Sequence, residues 1–185
     1  VSAGTRFGSR VLARLFVFVR IIGLAGWSGA GKTTLLAGLI PCLVAGGLTV
    51  STIKHAHHRF DVALPGDDSF AYRQAGAEEV LVSSGQRFAL MHELRADPEY
   101  TLVELLTVMT PVDLVIVEGF KAGHHPKIEV HRTANGKQLM FPGDGSIIAI
   151  ASDNSVVTDL PAFDLNDFEA IAAFVRKSAV PFCNP

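Results

Sequence analysis

Lys32 and Thr33 stand at the end of a glycine-rich run, GWSGAGKTT, beginning at Gly26. The spacing is a glycine, four residues, then Gly31-Lys32-Thr33. Glycines let a backbone turn tightly enough to aim several N–H groups at one anion. A lysine at the end of a phosphate cradle reaches the terminal phosphates, and a threonine hydroxyl suits Mg²⁺. Gly26, Ser28, Gly29, Ala30, Gly31, Lys32 and Thr33 are therefore expected to hold the phosphates of a nucleoside triphosphate. Lys32 is expected to take part in any hydrolysis, and Thr33 to bind the metal.

Such a loop needs a carboxylate at the end of another strand. The run DLVIVEG offers two. Asp113 opens the strand and Glu118 closes it, and open α/β sheets bind ligands at strand C-termini. Glu118 is thus the expected catalytic carboxylate and second metal contact. The stretch KHAHHRFD follows another strand and gathers Lys54, His55, His57, His58, Arg59 and Asp61. A nucleotide- or anion-contacting surface, with His55 and His58 in it, competes here with a transition-metal site and with a solvated loop. His124-His125 supplies no well-spaced third ligand, and Asp67 and Asp68 are alternative carboxylates. Neither Asn-Lys-x-Asp nor an Asp-x-x-Gly switch occurs. Asp153, after the strand IAIAS, could accept from guanine N1 and N2 or merely cap a turn. Arg59 and Arg73 are the nearby arginines for a charge-neutralising role.

These residues require strands that end beside the loop. RIIGLAG (20–26), LTVSTIK (48–54), DLVIVEG (113–119), KIEVHR (127–132) and SIIAIAS (146–152) read as strands. EVLVSS (79–84) and RFALMHE (87–93) read as a pair joined at Gly85-Gln86. Leu35, Leu36, Leu39, Ile40 and Leu43 fall at helical spacing over 33–45, where Pro41 should kink or shorten the helix. Asp68 should cap a short helix that Gly76 stops. Thr101 and Glu104 make a capping box for the next, and Asn166 should start the last. The alternation predicts an α/β fold, a mostly parallel sheet with some antiparallel strands and helices on both faces. One nucleotide-binding domain over residues 20–180 is expected, with residues 1–19 as an extension leading into the first strand.

The 185 residues carry a net charge of −2 and are 49% hydrophobic and 18% charged, a globular composition with no basic field for nucleic acid or membrane. Two distant cysteines suit a reducing cytosol. AGWSGAGKTTLL, IKHAHHRFDV, PGDDS with RQAGA, VEGFK and IAIASD, in that order, resemble the MobB family of molybdopterin-guanine dinucleotide biosynthesis adaptors. The likeness runs from about Ile21 to Lys177. It implies a three-layer P-loop NTPase fold and a cytoplasmic homodimer. It also implies Mg²⁺ and GTP as cofactors, weak GTP hydrolysis at most, and a molybdenum cofactor guanylyltransferase as partner. It adds Thr34 to the nucleotide contacts. The alternatives are a small-molecule kinase or ATP-dependent ligase, and a metallochaperone-like GTPase.

Overall fold

The computed structural model describes residues 19–56, 60–62, 65–120 and 123–182. The strands are β1 (Arg20–Ala25), β2 (Val50–Lys54), β3 (Glu79–Ser83), β4 (Phe88–His92), β5 (Leu114–Glu118), β6 (Lys127–His131), β7 (Ile147–Ser152), β8 (Ala162–Asp164) and β9 (Val180–Pro181). The helices are α1 (Lys32–Ala45), α2 (Asp68–Gln74), α3 (Leu102–Val108) and α4 (Phe168–Ser178). The chain groups into two compact units. One runs to His55 and resumes at Leu102, and the other is Ala56–Thr101.

The larger unit is a sheet in the order β2-β5-β1-β6-β7-β8, with β9 added antiparallel beside β1. All other pairings are parallel. Alternation along β1 divides the core. Ile22 and Leu24 join Leu35, Leu39 and Leu43 of α1 and Ile171 and Val175 of α4 on one face. Ile21 joins Ile53, Val115, Val117 and the leucines of α3 on the other. Leu114 to Val117 are all at most 1% exposed, as a strand covered on both faces requires. The parallel sheet with helices on both faces is as the sequence predicts, while β8 and β9 were not legible there.

Three local expectations are corrected. Asp68 does not cap α2 but is its first residue, and Asp67 stands at the cap position, because two adjacent aspartates offer the same local chemistry. Pro41 does not shorten α1, which continues to Ala45. Buried Leu39 and Leu43 hold that turn in the core, and Arg176 of α4 donates to the carbonyls of Cys42 (3.0 Å) and Gly46 (2.9 Å) at its end. The last helix is capped by Asp167, whose Oδ1 accepts from the Ala170 amide at 3.0 Å. Asn166 lies one residue too early, in a turn where its own amide donates to Asp164 Oδ1.

The strand order makes one connection unusual. Among the strands of this sheet β5 and β6 follow one another along the chain but flank β1, so the connection between them crosses β1. Gly119 and Phe120 both have left-handed backbone (φ 96° and 47°) and turn the chain back. His125 then lies on β1 at Gly23, where an added Cβ would stand 2.6 Å from His125 Nε2. The smaller unit contains α2 and the antiparallel hairpin β3–β4, the expected pair. Within it Arg73 binds Asp61 (2.6 Å) and Glu93 (2.8 Å), so this guanidinium is committed to two carboxylates.

Candidate phosphate-binding site

β1 ends at Ala25 and α1 begins at Lys32, so the glycine-rich run is the turn between a central strand and a helix N-terminus. Gly26, Gly29 and Gly31 all have positive φ (140°, 79° and 97°), a conformation costly for any other residue. At Gly26 a Cβ would meet the Val130 carbonyl oxygen at 2.4 Å, so β6 also demands glycine there. Lys32 Nζ folds back across the loop and donates to the carbonyls of Gly26 (2.9 Å) and Trp27 (3.0 Å). This pins the ammonium at the loop's mouth. Ala30 is buried, while Ser28, Thr33 and Thr34 are exposed on the helix-start side.

Glu118 ends β5, one strand over, in register with Leu24 of β1 and Lys54 of β2. Its carboxylate is 3.7 Å from Lys54 Nζ. Asp113 lies just before that strand, bonded to the hydroxyl (2.6 Å) and amide (2.8 Å) of Thr49 just before β2, so it stands at the opposite edge from Glu118. His55 follows β2, donates its amide to the Glu118 carbonyl at 2.8 Å, and packs its ring 4.9 Å from Phe120. The fold thus gathers the glycine loop, Lys32, Thr33, Glu118 and His55 on strand C-termini that are adjacent in the sheet. His58 and Arg59 lie outside the described residues. Among the described residues no group of three or more histidine, cysteine or acidic side chains is placed to hold a metal ion. Thr33 and Glu118 nevertheless suit Mg²⁺, which takes oxygen ligands and keeps much of its water.

Asp153 follows β7, two strands from the loop. Its Oδ1 accepts from the Thr133 amide (2.9 Å) and hydroxyl (3.2 Å). The Thr133 amide is the main reason its carboxyl sits below the usual range. That contact exposes what the sequence reading missed. The connection after β6, read as merely polar and glycine-rich, folds onto the phosphate loop. Arg132 lies against Gly31, Asn135 Nδ2 donates to the Ser28 carbonyl at 2.9 Å, and Trp27 Nε1 donates to the Gln138 carbonyl at 2.8 Å. Glu129, fully buried in β6, accepts from the amides of Met140 (2.7 Å) and Phe141 (2.9 Å) and so fixes the far end of the same segment.

A family model described as molybdopterin guanine dinucleotide synthesis protein B (MobB) matches residues 21–153. The molybdopterin-guanine dinucleotide biosynthesis adapter protein of Escherichia coli K12 is 43% identical over 162 residues, covering 85% of this chain and 91% of its own length. The adapter protein of the same name from Haemophilus influenzae is 37% identical, with 86% and 89% covered. A crystal structure of molybdopterin-guanine biosynthesis protein B superposes with a TM-score of 0.68 at 25% identity, covering 85% of this chain and 98% of that one. The crystal structure of Bacillus subtilis MobB, at 22% identity and a TM-score of 0.66, shares the fold over 86% and 98% of the two chains.

Proposed function

The chain belongs to the molybdopterin guanine dinucleotide synthesis protein B family, and from that premise we propose that it is a nucleotide-binding adaptor of molybdenum cofactor synthesis. It binds Mg²⁺-GTP and presents it to the guanylyltransferase that joins GMP to molybdopterin. One observation carries the reading: the loop has three left-handed glycines and a lysine already drawn across its mouth by two carbonyls. A loop so preorganised gains electrostatic attraction for polyphosphate without reordering.

In this reading the amides of residues 26–34 and Lys32 hold the phosphates. Thr33 and Glu118 hold Mg²⁺, which shields phosphate charge when bound, and Glu118 also orients water. His55 and His58 line the nucleotide-facing edge, and Asp153 offers its second oxygen to the base. Hydrolysis is slow in this reading, because Arg73, one of the two arginines expected to neutralise charge, is tied to Asp61 and Glu93. The protein works in the cytoplasm as a homodimer, and no described helix is long and apolar enough to cross a membrane.

Isothermal titration with GTP and ATP, with and without Mg²⁺, tests this. GTP is expected to bind more tightly than ATP, and Lys32→Ala to lose at least tenfold, as loss of a charge-assisted contact of about 1.5–3 kcal/mol implies. Tighter binding of ATP would sink the reading.

A further inference from the structure

A phosphate loop presents its amides inward only if its carbonyls face outward and are satisfied there. Most of that accounting is internal. The Gly26 and Trp27 carbonyls accept from Lys32 Nζ, Trp27 O also accepts from the Ala30 amide at 3.1 Å, and Gly31 O accepts from the Leu35 amide at 2.9 Å. At the crest of the loop the Ser28 carbonyl is taken by a side chain 107 residues away, Asn135 Nδ2. The same side chain lies along Gly29, with Oδ1 3.4 Å from where a Cβ would stand. Arg132 and the Gln138 carbonyl contact Gly31 and Trp27 on either side. The segment bearing these groups is itself held. Asp153 and Asn154 bind Thr133, the Lys137 carbonyl meets His131 Nε2 at 3.2 Å, and Glu129 fixes the amides of Met140 and Phe141.

We propose that residues 132–138 are a brace that positions the phosphate loop for nucleotide, with Asn135 as its positioning residue and Thr133 as its anchor. The inference rests on the nucleotide-binding reading above. Asn135 acts through the Ser28 carbonyl: with that oxygen held outward the crest amides stay aimed at phosphate, and binding does not have to order them. Trp27 is the only tryptophan of the chain and is bonded to the brace, so its emission reports the brace directly.

The test titrates Mg²⁺-GTP into the wild type, Asn135→Ala, Thr133→Val and the double variant. Acrylamide quenching of Trp27 is recorded first, without nucleotide. Asn135→Ala should weaken GTP roughly five- to tenfold, the worth of one neutral hydrogen bond. Thr133→Val should weaken it less, and the double variant should bind within about twofold of Asn135→Ala because both break one device. Quenching should rise in all three variants while their melting temperatures stay near wild type. Unchanged affinity and quenching in Asn135→Ala, or losses that multiply fully in the double variant, would overturn the brace. Should Asn135→Ala fail to fold, the Thr133→Val affinity and quenching decide alone, no change in them overturning the brace. A wild type that binds no GTP would remove the nucleotide reading instead, and the quenching comparison still judges the brace.

Discussion

Burial holds the His125 imidazole down to about 4, with the Lys127 ammonium adding to the effect and the Asp144 carboxylate opposing it. The group is neutral in the folded protein near neutrality and wants a proton in the unfolded chain below about 6.5. Stability from keeping it neutral is therefore complete above pH 6.5 and is lost as pH falls through about 4. Urea denaturation at pH 7, 5.5 and 4.5 should show this fall, on the order of 1–3 kcal/mol, and His125→Gln should flatten it. The Glu118 carboxylate makes a different prediction. Glu118→Gln keeps the shape of the strand end but removes the charge proposed to orient water. GTP hydrolysis should drop at least tenfold while GTP affinity changes less than about threefold, scored by single-turnover assay beside calorimetry. Equal loss of both would make Glu118 a structural residue.

Gly23 is an element-scale requirement, since the crossover from β5 to β6 leaves no room for a Cβ between β1 and His125 or Lys127, at 2.6 and 2.9 Å. Gly23→Ala should cost about 1–3 kcal/mol, read by thermal or chemical denaturation, because the neighbours it meets are buried rather than free ends. Arg176→Ala should cost about 1–2 kcal/mol in the same assay, by leaving the last carbonyls of α1 without their cation. The same scale shows what a sequence can disclose. β1, α1 and β5 were legible because apolar runs and glycine spacing are local signals. The cap at Asp167 was misplaced by one residue because Asn166 has the same local chemistry. The brace was invisible because nothing near Asn135 shows that its partner is Ser28. Glu129 is fully buried, and the two amides that satisfy it lie eleven and twelve residues on, beyond the reach of strand periodicity.

At the scale of the whole chain, the two units differ in how much they bury. Among the described residues, Val80 is the one hydrophobic core residue of the smaller unit, against a continuous buried set in the larger. Hydrogen exchange should therefore release the β3–β4 amides at markedly lower opening free energy than those of β1 and β5, and equal protection would contradict this. The order β2-β5-β1-β6 carries one more consequence. β1 and β2 are not neighbours, and each pairs in this sheet only with strands that begin at Leu114 or later. A chain emerging from the ribosome therefore carries its glycine-rich run for some ninety residues with no sheet to hang it on. Until β5 is made, β1 lacks the strand it pairs with, and an unpaired apolar strand of this kind is the surface through which nascent chains aggregate.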